Sequence, residues 1–86
     1  MYWRNKLVVN VWTTPNCVQC EMTKKQFDKL GVSYTAQDLS QNIDALEQFR
    51  EQGLTQAPIV QAGEHEWSGF RLAKIKGVAN EIFGEK

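Results

Sequence analysis

Residues 7–20 have the sequence LVVNVWTTPNCVQC, and the order of residue types in this stretch decides the fold. The run Leu7–Trp12 is rich in β-branched and aromatic residues, which predicts a strand buried on both faces. Pro15 and Asn16 then favour a turn. Good helix formers dominate from about Val18 to Leu30, so a helix is expected to follow the turn. The two cysteines of the chain therefore lie where a strand turns into a helix.

The remainder of the chain predicts three more strands and two more helices. In chain order they are a strand at Val32–Ala36, a helix through Ile43, Leu46 and Phe49 that ends at Gly53, a strand at Ala57–Val60, a turn at Gly63, a strand at Glu64–Trp67 and a helix that starts near Ser68 and Gly69. The residues expected to face inward are Val18, Met22 and Phe27 in the first helix, which ends at Gly31, and Phe70, Ala73, Ile75, Val78, Ala79 and Ile82 in the last helix.

The element order β-α-β-α-β-β-α indicates the fold class. A strand, a helix and a second strand form a parallel pair by a right-handed crossover, and the later hairpin adds an antiparallel pair. We therefore expect an α/β fold with a mixed four-stranded sheet flanked by three helices. At 86 residues the chain has the length of one small domain, spanning 1–86.

The charge balance argues against nucleic acid as a partner, and the hydropathy argues against a membrane-spanning segment. Ten Lys and Arg residues balance ten Asp and Glu residues, whereas nucleic-acid binding favours a basic surface. No apolar run is long enough to span a bilayer. The first residues, Met1–Lys6, precede no apolar segment of signal-peptide length, so a cytoplasmic protein is expected.

The pair Cys17 and Cys20 closes a ring too small to constrain much of the unfolded chain, so it is not explained as a structural staple. Reversible redox chemistry or metal binding remains. A zinc site takes four ligands, but the chain has no second cysteine pair, and its one histidine, His65, is expected at the surface. The position at a helix start favours redox chemistry, because the unpaired N–H groups and the positive end of a helix favour the thiolate form of a cysteine placed there. Glu21 in the same turn opposes that effect.

Three motifs together resemble the NrdH-redoxin family of glutaredoxin-like proteins. They are TPNCVQC at 14–20, QAPIV at 56–60 and WSGFR at 67–71. The resemblance implies the thioredoxin fold and an electron donor for class Ib ribonucleotide reductase. It further implies that the protein receives electrons from NADPH through thioredoxin reductase and not from glutathione. We expect a monomer with no bound cofactor.

The same resemblance implies roles for individual residues. Cys17 is the expected nucleophile, and Cys20 is the expected resolving thiol. Pro58 matches a cis-proline that turns Ala57 toward an extended substrate segment. The full set of residues expected to bind substrate or partner is Val18, Gln19, Ala57, Pro58, Trp67, Ser68, Gly69, Phe70 and Arg71.

The WSGFR motif at 67–71 stands where glutathione-using glutaredoxins carry a Gly-Gly and acidic segment, so it implies a loop without a glutathione site. Two alternatives stay open for its aromatic residues: Trp67 and Phe70 either dock a reductase or belong to the core. Ser68 is a second ambiguous residue, since a serine there also suits a helix N-cap. The chain departs from the family pattern at Leu72, often proline, and at Thr14, often basic.

Two other functions compete with the electron donor. One is a glutathione-dependent glutaredoxin, although the usual CPYC-like pair is missing. The other is a non-catalytic protein, either a thiol redox sensor or a metal-binding adaptor.

Overall fold

A computed structural model describes residues 7–83 and contains the predicted order of elements. Met1–Lys6, where the sequence predicts no signal peptide, lies outside the described residues. The elements are β1 (Val9–Thr13), α1 (Val18–Leu30), β2 (Thr35–Asp38), a 3₁₀ turn (Leu39–Gln41), α2 (Ile43–Glu51), β3 (Ile59–Ala62), β4 (His65–Ser68) and α3 (Leu72–Phe83).

The four strands form one mixed sheet in the order β2-β1-β3-β4. Strand β1 pairs in parallel with β2 and antiparallel with β3, and β3 pairs antiparallel with β4. The hairpin turns at Gly63, whose φ is +60°. The predicted α/β fold, with three helices around a mixed sheet, is confirmed, and β1 lies in the interior of the sheet as its apolar sequence requires.

Side chains that alternate along the strands build two cores, one on each face of the sheet. Val11 of β1 and Val60 of β3 point into the larger core, where helices α1 and α3 cover the sheet. Ile59, next to Val60, points the other way and packs with Phe49 of α2 in the smaller core. Trp12 completes that second layer through an edge-on contact with Phe49, whose ring centroid is 5.5 Å away.

The strand boundaries differ from the prediction by a few residues. Strand β1 begins at Val9 rather than at Leu7, and the prediction that it is buried on both faces was wrong, since only Val9 and Val11, on one face, are buried. Strand β2 begins at Thr35 rather than at Val32, because the N–H of Val32 is bonded to the carbonyl of Phe27 at 2.9 Å and closes the end of α1. Strands β3 and β4 are likewise shifted toward the C-terminus, to Ile59–Ala62 and His65–Ser68.

Helix α1 has the predicted bounds but a different buried stripe. It ends at Gly31, whose φ of +77° is the left-handed conformation that glycine favours. Its buried residues are Cys20, Thr23 and Phe27. Val18 is 73% exposed. At about 100° per residue, Val18 lies opposite Phe27 on the helix, so the prediction of a shared inner stripe was wrong for Val18. It was wrong for Met22 too, which is 42% exposed.

The last helix starts later than the sequence predicts. Ser68 belongs to strand β4 and is not a helix N-cap. Phe70 lies in the loop before α3, and Ala73 is exposed, so neither residue belongs to the buried face of the helix. The predicted inner positions from Ile75 onward are confirmed, since Ile75, Val78, Ala79 and Ile82 are buried.

Candidate active site

The candidate site is built at the turn between β1 and α1, where Cys17 and Cys20 form a disulfide with their Cα atoms 5.2 Å apart. Pro15 and Asn16 make the turn, and Asn16 adopts a positive φ of 59°. Cys17 then takes an extended conformation and caps helix α1. Its Sγ accepts a hydrogen bond from the N–H of Cys20 at 3.1 Å. The helix therefore directs one of its unpaired N–H groups at the sulfur of Cys17.

The two sulfurs differ in their access to solvent. Cys20 is only 1% exposed, whereas Cys17 is half-buried. A shallow groove lined by Asn16, Cys17, Val18 and Glu21 opens beside the outer cysteine. Residue 17 is therefore more accessible to a substrate disulfide than residue 20.

The acidic residue of the first turn is paired. Glu21 lies in the first turn of α1, and its carboxylate is 3.0 Å from the ammonium group of Lys24. Glu21 is exposed and Lys24 is half-buried, so solvent screens the pair and its contribution to stability is small. The pair does place a positive charge beside the carboxylate that would otherwise oppose a thiolate on Cys17.

A second segment near the cysteines contains the cis peptide bond between Ala57 and Pro58. Pro58 is buried, and Ala57 is half-buried. The carbonyl of Pro58 accepts a hydrogen bond from the N–H of Gly69 at 2.8 Å. This bond joins the proline segment to the loop that follows strand β4.

That loop is also joined to the CVQC motif. The side-chain Oε1 of Gln19 accepts a hydrogen bond from the backbone N–H of Phe70 at 2.9 Å. Gly69, with φ +85°, packs against the side chains of two glutamines. A Cβ atom on it would lie 3.5 Å from Gln19 Oε1 and 3.9 Å from Gln56 Oε1. Hydrogen bonds and close packing thus join three segments that are far apart in sequence, and one of them contains the two cysteines.

The residues of the WSGFR motif have different environments. Trp67 is 4% exposed and belongs to the larger core, so its side chain is not an exposed docking aromatic. Phe70 is half-buried and packs against that core. Ser68 is half-buried, Gly69 is buried, and Arg71 is exposed. Of this motif, only Ser68, Phe70 and Arg71 present side chains at the surface.

Two features of the site have no counterpart in the sequence prediction. Gln56 is part of the QAPIV motif but was not expected to contribute to the site, although it lies beside Gly69. Thr23 is completely buried one turn after Cys20, and its hydroxyl has no hydrogen-bond partner. Only the spacing of three residues from Cys20 could have pointed to Thr23, because threonine is not expected on the buried stripe of a helix.

Within residues 7–83 no group of three or more His, Cys, Asp or Glu side chains is placed to hold a metal ion. His65 lies away from the cysteines, on strand β4, with its Nε2 2.6 Å from Glu81 Oε1 of helix α3. No helix in the described part of the chain has the length and apolar character to cross a membrane.

Comparisons with known proteins agree on one family. The family model for glutaredoxin matches residues 9–67. The glutaredoxin-like protein NrdH of Salmonella typhimurium is 38% identical over 63 residues, which make up 73% of this chain and 78% of that protein. Its counterpart in Escherichia coli is 36% identical with the same coverage.

The similarity extends to a solved structure. The glutaredoxin-like protein NrdH-redoxin from Escherichia coli, which was described for its thioredoxin-like activity profile, superposes with a TM-score of 0.79. The two sequences are 34% identical, and the match covers 81% of this chain and 92% of the other.

Proposed function

Since this chain belongs to the glutaredoxin family, and within it to the NrdH-like thiol–disulfide oxidoreductases, we propose that it is an electron donor reduced by thioredoxin reductase. The proposed recipient is a class Ib ribonucleotide reductase. One observation favours thioredoxin reductase over glutathione as the source of electrons. The backbone N–H groups of two consecutive residues, Gly69 and Phe70, already donate hydrogen bonds within the protein.

The exchange itself follows from the two unequal sulfurs. In the dithiol form, the thiolate of Cys17 attacks a substrate disulfide, and one substrate thiolate leaves as the mixed disulfide forms. The thiolate of Cys20 then attacks the Cys17 sulfur and releases the second substrate thiolate. Two electrons pass to the substrate, whose thiolates take protons from solvent, and the Cys17–Cys20 disulfide remains. NADPH restores the dithiol through the reductase, so the protein needs no bound cofactor.

Glutathione is disfavoured because two consecutive backbone N–H groups of the loop before α3 already have acceptors within the protein. Backbone N–H groups near a helix start hold anions only when they are unpaired. Here the N–H of Gly69 is bonded to Pro58 O, and the N–H of Phe70 is bonded to Gln19 Oε1. A carboxylate could use these two N–H groups only by displacing Pro58 O or Gln19 Oε1.

The proposed setting is the cytoplasm. A dithiol that NADPH regenerates through thioredoxin reductase works in a compartment where such enzymes keep thiols reduced. The disulfide joins residues only three apart and does not cross-link distant parts of the fold, which suits a pair that opens and closes in each cycle.

The assay that tests the proposal compares two reducing systems on the same disulfide substrate. Purified protein is supplied with NADPH and thioredoxin reductase, or with NADPH, glutathione and glutathione reductase, and NADPH oxidation is followed with insulin as substrate. We expect turnover with the first system and little with the second. A Cys17→Ser variant controls for background and should be inactive in both. Turnover that depends on glutathione alone would instead support the glutathione-dependent alternative.

The recipient is tested separately with the complete NADPH and thioredoxin reductase system. A class Ib ribonucleotide reductase freed of small thiols should form deoxyribonucleotides only when the protein is added. Cys20→Ser is the matched control, because it keeps the outer cysteine but cannot complete the exchange. Absence of product, with insulin still reduced by the same mixture, would reject this recipient and leave the oxidoreductase activity intact.

A further inference from the structure

Thr23 carries a buried hydroxyl that the protein leaves unpaired in the disulfide state. Among residues 7–83 it is the one polar side chain that is completely buried, with 0% exposure. Its Oγ1 has no hydrogen-bond partner. Buried polar atoms are nearly always bonded, because an unpaired one loses its interactions with water and gains nothing in return. An unpaired hydroxyl at this position therefore calls for a role in another state of the molecule.

The neighbour that changes between states is Cys20. Thr23 follows it by three residues in helix α1, and both lie on the buried stripe that continues to Phe27. Side chains three residues apart on a helix are neighbours, with Cβ atoms about 5–6 Å apart. In the disulfide the sulfur of Cys20 is bonded to that of Cys17 and is only a weak acceptor. After reduction the same buried sulfur carries a thiol or a thiolate.

A buried thiolate on Cys20 needs stabilisation, since burial disfavours the charged form. The residue is 1% exposed, so solvent supplies little of it. The N–H of Cys20 is directed at Cys17 and not at its own sulfur. The hydroxyl of Thr23, three residues further along the same buried stripe of α1, is a donor without a partner.

We propose that Thr23 is a positioning residue for the resolving step. Its hydroxyl donates a hydrogen bond to the Cys20 sulfur when the disulfide is open, and it supports the thiolate that attacks the mixed disulfide. The hydroxyl proton stays on Thr23 throughout; the S–H proton of Cys20 goes to solvent before the attack. The bond exists only in the reduced protein, so it favours the dithiol over the disulfide. This inference rests on the proposed dithiol exchange but not on the identity of the reductase or the recipient.

A structural role for Thr23 makes a different prediction. If the hydroxyl only fills space, Thr23→Val keeps its shape and removes an unpaired polar atom, so the redox equilibrium should not move. Thr23→Ser keeps the hydroxyl and loses a methyl group. Thr23→Ala removes both and provides a second hydroxyl-free variant should valine fail to fold.

The deciding measurement is the dithiol–disulfide equilibrium of each variant in a dithiothreitol redox buffer at neutral pH. For Thr23→Val and Thr23→Ala we expect a shift toward the disulfide of roughly tenfold, equivalent to a potential about 30 mV more negative. For Thr23→Ser we expect a value within about twofold of the native chain, since it keeps the donor. Equal potentials in all four proteins would overturn the proposal, as would a serine variant that shifts as far as valine.

A kinetic measurement locates the effect in one step. Release of an aromatic thiol from its mixed disulfide with Cys17 reports the attack by Cys20, and Thr23→Val should slow it roughly tenfold. The first attack, measured in a Cys20→Ser background, should stay unchanged. Slowing of both steps alike would overturn the assignment to the resolving step. Neither experiment contains thioredoxin reductase, so a failure of the proposed function would show in the coupled assay and not here.

Discussion

Gln19 and Phe70 are 51 residues apart in the chain, yet the backbone N–H of Phe70 donates to the side-chain Oε1 of Gln19 at 2.9 Å. This bond ties the first turn of the redox helix α1 to the loop between β4 and α3. The loop is held from a second side by the bond from Gly69 N–H to Pro58 O. The shape of the surface beside the disulfide therefore depends on a side chain that lies between the two cysteines.

We predict that Gln19→Ala loosens the loop without disturbing the fold. Loss of the acceptor should lower the free energy of unfolding by about 0.5–1.5 kcal/mol and leave the Phe70 N–H free. Amide hydrogen exchange at Phe70 should become faster. Gln19→Glu is the control, because its carboxylate can still accept the bond. Unchanged exchange at Phe70 in the alanine variant would show that the bond does not hold the loop.

Two glycines in different backbone conformations allow a matched test of how an added Cβ atom changes stability. Gly69 has φ +85°, so Gly69→Ala should destabilise the protein by about 1–3 kcal/mol through backbone strain. Gly77 lies inside helix α3, where an added Cβ meets nothing within 4 Å. Gly77→Ala should therefore stabilise the protein by about 0.5–1 kcal/mol. Urea denaturation measures both, and effects of the same sign would contradict the conformational argument.

The sequence predicts those parts of the fold that are decided by local signals. The bounds of α1 follow from the Pro15-Asn16 turn and from Gly31, and the structure has the same bounds. The start of β2 could not be predicted in this way. It depends on the pairing of Thr35 with Asn10, which is a contact between distant residues. The local alternation around Val32 therefore suggested a strand three residues too early.

The same distinction applies to the site. The position of the Cys17–Cys20 pair at a helix start follows from the order of residue types around it. The bond between Gln19 and Phe70 could not be inferred, because nothing in either local sequence specifies its partner. Thr23 was missed for another reason: apolar spacing identifies the inner face of a helix, and a buried polar residue does not contribute to that pattern.

The buried face of helix α1, which contains Phe27 but not Met22, can be tested by measuring the stability of variants. Phe27 is 0% exposed, whereas Met22 is 42% exposed on another side of the helix. Phe27→Leu should therefore cost roughly 1–3 kcal/mol, because it leaves a gap in the larger core. Met22→Leu should change stability by about 0.5 kcal/mol or less. Thermal unfolding of both variants is the measurement, and equal losses would restore the stripe predicted from sequence.

The pKa of the Tyr34 phenol is raised, first because the side chain is partly buried and then because of the charge and hydrogen bond of Asp28, with a further contribution from Glu21. The folded state thus favours the neutral phenol. Its contribution to stability is complete below the ordinary tyrosine pKa of about 10 and is lost as the pH rises through the raised value. Tyr34→Phe should remove this part of the alkaline loss.

Ultraviolet titration of tyrosinate measures the Tyr34 shift directly. Subtracting the curve of Tyr34→Phe isolates the residue from Tyr2, the other tyrosine of the chain. Asp28→Asn should lower the Tyr34 pKa only partway toward its ordinary value, since burial is the larger cause and remains. Full return to the ordinary value would assign the shift to Asp28 alone.

The unequal exposure of the two sulfurs predicts an order of reaction in the reduced protein. Cys17 is half-buried at the groove and caps α1, whereas Cys20 is 1% exposed. Brief treatment with iodoacetamide near neutral pH should therefore label Cys17 first, as peptide mapping would show, because access and thiolate character both favour it. In a Cys20→Ser variant, a substrate disulfide should form a mixed disulfide that persists, since no second thiol resolves it. The Cys17→Ser variant should form no mixed disulfide at a comparable rate. Preferential labelling of Cys20, or a stable adduct on Cys17→Ser, would reverse the assigned roles of the two cysteines.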